Sequence, residues 1–128
     1  MTTYTVLLTG DDTTWEAADE ATRAATYAAH GRFAEALAAR GHTVVGGAEL
    51  EHSRAARALR RRDGDVVRTE GPYAETAEQL TGFYLVESDD LEDLLACAAL
   101  LVDDDGGVEV RAAKPSQPAP APGTTEEG

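Results

Sequence analysis

The chain has 128 residues, with 24 Asp and Glu against 11 Lys and Arg and a formal charge of −13. A domain of this size buries enough apolar surface to hold a core without cross-links, and the single cysteine, Cys97, rules out an intrachain disulfide. The carboxylate excess argues against nucleic-acid phosphates and anionic lipid as partners, and no apolar run approaches the roughly 20 residues of a bilayer span or follows a signal-peptide pattern, so the expected location is cytoplasmic.

YTVLLTG (residues 4–10) is rich in apolar and β-branched residues and stops at Gly10-Asp11-Asp12, a turn-forming cluster, which predicts a first strand. From Asp19 to Arg40 the chain is Ala-rich and ends at Gly41, the residue type preferred just past a helix end, which predicts a long first helix. TVVGGAEL (43–50) reads as a second strand with an irregularity at Gly46-Gly47. Residues 56–62 and 66–69 flank Asp63-Gly64-Asp65, and Asp-Gly between extended runs signals a hairpin. After a break at Gly71-Pro72, GFYLVES (82–88) is the most strand-like run of the chain. Ser88 or Asp89 then caps a second helix, with Glu92 and Asp93 in its first turn and Leu91, Leu94, Leu95 and Ala98 on one face. GVEVRA (107–112) closes as a final strand. Residues 1–113 are expected to form the domain. Residues 114–128 hold four of the five prolines and no apolar side chain larger than Ala, and read as a disordered tail.

This order predicts an α+β fold, a ferredoxin-like antiparallel sheet with two helices on one face. Its other face is also apolar. Phe83 and Leu85 alternate with Tyr84 and Val86, and Leu7 sits opposite Tyr4, Val6 and Leu8. Packing against another sheet would bury that second set, which predicts a homodimer joined through the sheets.

The run Thr69-Glu70-Gly71-Pro72-Tyr73-Ala74-Glu75-Thr76, with Asp63-Gly64-Asp65 before it and Glu78-Gln79-Leu80, Gly82-Phe83-Tyr84-Leu85-Val86-Glu87 and Val108-Glu109-Val110-Arg111 after it, strongly resembles the YCII-related proteins. The closest resemblance is to the branch called DGPF domain proteins, with Glu70-Gly71-Pro72-Tyr73 in place of Asp-Gly-Pro-Phe. The resemblance implies a ferredoxin-like fold pairing into a dimeric α/β barrel. Related barrels include enzymes acting on lactones, hydroxyquinones and chlorinated aromatics, and genes of this branch often neighbour sigma factors of the extracytoplasmic-function class. It further implies a proton-transfer histidine in the first helix, followed by a bulky residue and a helix-ending glycine; His30, Phe33, Leu37 and Gly41 fit. The family pairs that histidine with an aspartate near the end of the second helix. Here Leu100-Leu101 stand at that place, and Asp103, Asp104 and Asp105 follow either as substitutes or as a solvated loop.

On a helical wheel His30 lies about 60° from Phe33 and about 20° from Leu37, so it faces the sheet. A neutral imidazole there is suited to proton transfer near neutral pH, and the alternative is a half-buried structural histidine. Glu70, Tyr73 and Glu75, on the rigid Gly71-Pro72 break, either present polar groups to the mouth of a pocket or simply order the crossing between strands. Six of the eleven basic residues cluster between Arg54 and Arg68. Of these, Arg60 and Arg62 share a hairpin face suited to an anionic ligand, or else guard a solvated strand. The histidines lack the close spacing of a zinc pair, Cys97 reads as a buried inert thiol, and no phosphate loop, nucleophile elbow or dinucleotide fingerprint occurs, so neither metal nor cofactor is expected. Two functions remain open. One is a small homodimeric barrel that binds a small organic molecule and carries out isomerase- or lyase-like proton transfer. The other is a non-catalytic ligand-sensing module in a sigma-factor system.

Overall fold

A computed structural model describes residues 1–115. All but the first two residues of the expected tail lie outside the described residues. The sheet-forming strands are β1 (Thr2–Gly10), β2 (Thr43–Glu49), β5 (Gln79–Ser88) and β6 (Gly106–Ala112); β3 (Arg57–Arg62) and β4 (Asp65–Glu70) make the hairpin. The helices are α1 (Asp12–Ala17), α2 (Glu20–Ala39) and α3 (Leu91–Ala98), with single 3-10 turns at Ser53–Ala55 and Ala99–Leu101.

The four-stranded sheet has the order β2-β5-β1-β6, and every neighbouring pair is antiparallel. That is the arrangement a βαββαβ chain produces when each helix carries it across one intervening strand, as the ferredoxin-like reading requires. On one face Val6 and Val86, fully buried, meet Phe33 and Leu37 of α2 and Leu94, Cys97 and Ala98 of α3. Tyr4, Leu8, Tyr84, Val108 and Val110 extend this core from the strands. By alternation the opposite face carries Leu7 paired with Phe83 and Leu85 paired with Thr5, with Ala48 and Gly46 beside them on β2. Leu7, Phe83 and Leu85 on that face are part-buried and stand outside the core cluster.

Three features differ from the sequence expectation. Gly10-Asp11-Asp12 begins a third helix and is not only a turn. The Asp11 carboxylate accepts from the N–H groups of Thr13 and Thr14 at 3.0 and 3.2 Å, and Arg23 of α2 donates to the carbonyls of Trp15 and Glu16 at 3.1 and 2.7 Å. A six-residue helix has too little internal cooperativity to stand alone, so this one exists through its cap and its clamp. The hairpin is the second difference: β3 and β4 pair only with each other and do not join the main sheet. Asp63 and Gly64 do take the left-handed conformations that a two-residue hairpin turn demands, with φ of 52° and 86°. Finally, α3 is capped by Asp90, whose carboxylate accepts from the Asp93 N–H at 3.1 Å. Ser88, an expected cap, is buried beneath the turn, and its hydroxyl accepts from the Asp90 N–H at 3.0 Å.

Candidate functional site

The two halves of α2 do different work. Phe33 and Leu37 fill the core, whereas the N-terminal half presents Arg23, Thr26, Tyr27 and His30 to a space the core does not fill. This space is a cavity of about 790 Å³ between α1, the N-terminal half of α2 and one end of the sheet, where β1 and β2 finish and β5 and β6 begin. That volume is typical of small-molecule sites. Close strand approach shapes its floor. A Cβ on Gly47, where φ is +150°, would fall 2.6 Å from the Phe83 carbonyl oxygen, and one on Gly106 would fall 2.3 Å from that of Thr9. The irregularity read at Gly46-Gly47 falls one residue earlier, as a bulge at Val45 between the pairs Val44–Val86 and Gly46–Leu85.

His30 is half-buried on this wall, and its Nδ1 lies 2.6 Å from the Tyr84 hydroxyl. Phe33 packs on Tyr84 with ring centroids 5.1 Å apart, which fixes the phenol against the imidazole. Burial pushes the His30 imidazole below its ordinary value, against the opposing pull of Glu49 and Asp103. The ring is therefore neutral near pH 7, with Nε2 lacking a protein partner among the described residues. Burial also pushes the Tyr84 phenol up, and Glu49 adds to this. Glu49 in turn accepts from the Tyr27 hydroxyl at 3.0 Å.

Asp103 and Asp105 both line the cavity, and the Asp105 N–H donates to the Asp103 carboxylate at 2.9 Å. Asp103 acts on His30 through space and makes no hydrogen bond to it, while Leu101 lines the cavity nearby. At the mouth, buried Asp12 accepts from the Ser53 N–H at 2.8 Å and faces His52 Nε2 at 3.6 Å. Burial works to raise Asp12, but the Ser53 hydrogen bonds and the His52 ring outweigh it and hold the carboxyl below its ordinary value.

The other sequence candidates lie elsewhere. Glu75 lines a shallower cleft of about 480 Å³ that shares Asp11, Asp12 and His52 with the cavity mouth. Its loop is pinned by Gln79, whose side-chain amide donates to the Ala74 and Thr76 carbonyls at 2.8 Å each. Glu70 pairs with Arg57 at 3.1 Å and Arg68 at 3.5 Å. The Arg60 guanidinium lies 3.8 Å over the Tyr73 ring and donates to the Tyr73 carbonyl. Arg62 is exposed near the hairpin turn, so Arg60 and Arg62 do not converge on the cavity.

Sequence reasoning missed Tyr84, Glu49 and Tyr27. Alternation does place Tyr84 on the face shared with Val86, which is the signal that could have linked it to α2. It also missed a grouping on the far side of the core. His42, Asp93 and Cys97 bring one ligand-type atom each within 4.8 Å of one another; Asp93 and Cys97 are one turn apart on α3, and His42 joins them from just before β2. Asp93 there accepts from Arg40 Nε at 2.9 Å and faces His42 Nε2 at 2.7 Å, so a guanidinium already occupies the place of a cation. Burial pushes the Cys97 thiol up, as expected of an inert sulfur.

No helix among the described residues is long and apolar enough to cross a membrane. A family model for the YCII-related domain matches residues 3–115. Over 48 residues the chain is 44% identical to an uncharacterised protein of Rhizobium meliloti (strain 1021), a stretch covering 38% of this chain and 39% of that protein. The chain thus matches well under half the length of that relative.

Proposed function

The chain belongs to the YCII-related domain family, and on that premise we propose that it binds a small organic molecule in the cavity and moves a proton there through His30. We further infer the DGPF branch from the Glu70-Gly71-Pro72-Tyr73 turn, which stands where that branch carries Asp-Gly-Pro-Phe. The observation that carries the reading is the 2.6 Å contact between His30 Nδ1 and the Tyr84 hydroxyl on the wall of a ligand-sized cavity. With Nδ1–H donating to the Tyr84 oxygen, the Nε2 lone pair is left to act as base. It takes a proton from a substrate carbon, and the electron pair of the broken C–H bond either delocalises into an adjacent carbonyl or expels a leaving group. Glu49 and Asp103 stabilise the imidazolium so formed. Return of the proton to a second atom completes an isomerisation, and its loss to solvent completes an elimination.

Two copies joined through the open sheet faces would bury Leu7, Phe83 and Leu85 and form the dimeric barrel. A second reading, a ligand-sensing module without chemistry, is favoured by Leu101, which lines the cavity where the family places a carboxylate partner for the histidine.

The test is solvent deuterium incorporation into a panel of small carbonyl compounds, followed by NMR with saturation-transfer detection of binding. Proton transfer requires carbon-bound deuterium with the wild type, a loss of about 10²- to 10⁴-fold in His30→Gln, and a smaller loss in Tyr84→Phe. Binding without exchange would leave the sensing module. No binding at all would end both readings.

A further inference from the structure

We propose that the cavity selects a small organic amine, bound as its ammonium form, over carboxylates and phosphates; this rests on the cavity being the ligand site. The argument starts from its charges. Seven of the lining side chains are carboxylates, contributed by α1 and its cap Asp11, by the end of β2 and the residue that follows Leu50, and by the loop before β6; of these Glu16 is paired with Arg54. Against them stands one guanidinium, Arg23, whose Nε is buried without a hydrogen-bond partner among the described residues and so closed to an incoming anion. Its Nη2 donates to two carbonyls that close α1, and its plane lies over Trp15 at 5.4 Å from the ring centroid.

The two lining histidines do not reverse the balance. His30 is held neutral by burial. His52 accepts the Arg54 N–H on Nδ1 at 3.1 Å and turns Nε2 to Asp12, so its ring serves the mouth of the cavity and not an incoming anion. A carboxylate or phosphate ligand would therefore enter a concave wall on which carboxylates outnumber the single guanidinium seven to one, in a chain whose own net charge is −13.

An ammonium meets the opposite situation. Glu49 and Asp103 lie near enough to His30 for both to act on its charge, so a cation beside the imidazole is attracted from both. Trp15, Tyr27 and Tyr84 supply the aromatic surfaces that attract ammonium groups and cover an attached hydrocarbon. The Arg60 and Arg62 hairpin, which suggested an anionic ligand in the sequence, contributes nothing to this wall.

Trp15 is the only tryptophan and lines the cavity, so its fluorescence reports occupancy of the full chain. Three probes of matched shape separate the alternatives at pH 7: phenethylamine, phenethyl alcohol and phenylacetate. The amine is expected to perturb Trp15 saturably, to bind at least about tenfold more tightly than the alcohol and to lose affinity with added salt. Phenylacetate is expected not to bind. Glu49→Gln and Asp103→Asn should each weaken the amine by about tenfold. Alcohol or carboxylate binding as tight as the amine would overturn the charge selection while leaving the cavity as the ligand site. Amine affinity unchanged in both variants would overturn it as well. Silence from all three probes would overturn both this inference and the cavity reading on which it rests.

Discussion

His30 is a half-buried imidazole that feels the charges of Glu49 and Asp103, and the sign of its titration follows from that. Burial lowers its proton affinity, while Glu49 and Asp103 raise it by less. We expect its NMR midpoint to fall below the ordinary value of about 6.5, and Glu49→Gln or Asp103→Asn to lower it further, because each removes a charge that favours the imidazolium. A midpoint that rose in either variant would show that the carboxylate does not face the ring. The same depression has a thermodynamic counterpart. Below the ordinary value the unfolded chain binds a proton that the folded chain refuses, so His30 costs stability as pH falls until the folded ring also titrates. Asp93 responds to acid for a different reason. The Arg40 guanidinium, then the His42 ring, holds its carboxyl well below the usual range, so its contribution is complete above that range and disappears as acid protonates it. Asp93→Asn should therefore melt below the wild type at neutral pH, with the gap closing as the pH drops beneath the ordinary carboxylate value. A gap independent of pH would show that charge is not what Asp93 contributes.

At the scale of elements, α2 divides at about His30 into a cavity wall and a core helix. Phe33→Ala, at a fully buried site, should cost about 3–5 kcal/mol and Leu37→Ala about 2–5 kcal/mol in denaturant unfolding. Thr26→Ala, on the cavity wall, should stay within about 0.5 kcal/mol. Equal losses at Phe33 and Thr26 would erase the division. The sequence showed α2 as one helix because its Ala content and the terminal Gly41 do not change along it; only the polar Arg23, Thr26 and Tyr27 on the stripe continued by Phe33 and Leu37 hinted at two environments. The hairpin was legible from Asp63-Gly64, since only certain residues tolerate those backbone angles. Helix α1 was not, because its stability comes from Arg23, eight residues beyond Trp15, and propensity does not register such a clamp.

Across the whole molecule, local patterns located the sheet and one member of the site. His30 was identifiable because the family resemblance implies a histidine at that place in the first helix, and a helical wheel turns it toward the strands. Glu49 and Asp103 were not, because they reach it from the end of β2 and the loop before β6, which become neighbours of α2 only when the sheet closes. The second apolar sheet face, with Leu7, Phe83 and Leu85 only part-buried, bears on assembly. We expect sedimentation equilibrium to give twice the 13.5 kDa chain mass. Leu85→Asp, on the open face, should return the single-chain mass without loss of helical circular dichroism. A wild-type protein that stays at the single-chain mass at micromolar concentration would remove the barrel from the proposal.

The strand order also governs how the chain reaches its native state. β1 is central, yet both of its neighbours come late: Thr2 pairs with Ser88, and Gly10 pairs with Gly106. On the ribosome, β1 emerges before either partner strand exists, so one of its edges stays unpaired until β5 has been made and the other until β6 has. The hairpin of β3 and β4, whose pairing is wholly local, can form while synthesis is still under way. Folding of the main sheet is thus a late and concerted event that joins distant parts of the chain, and the interval before it is when the nascent protein is most open to aggregation.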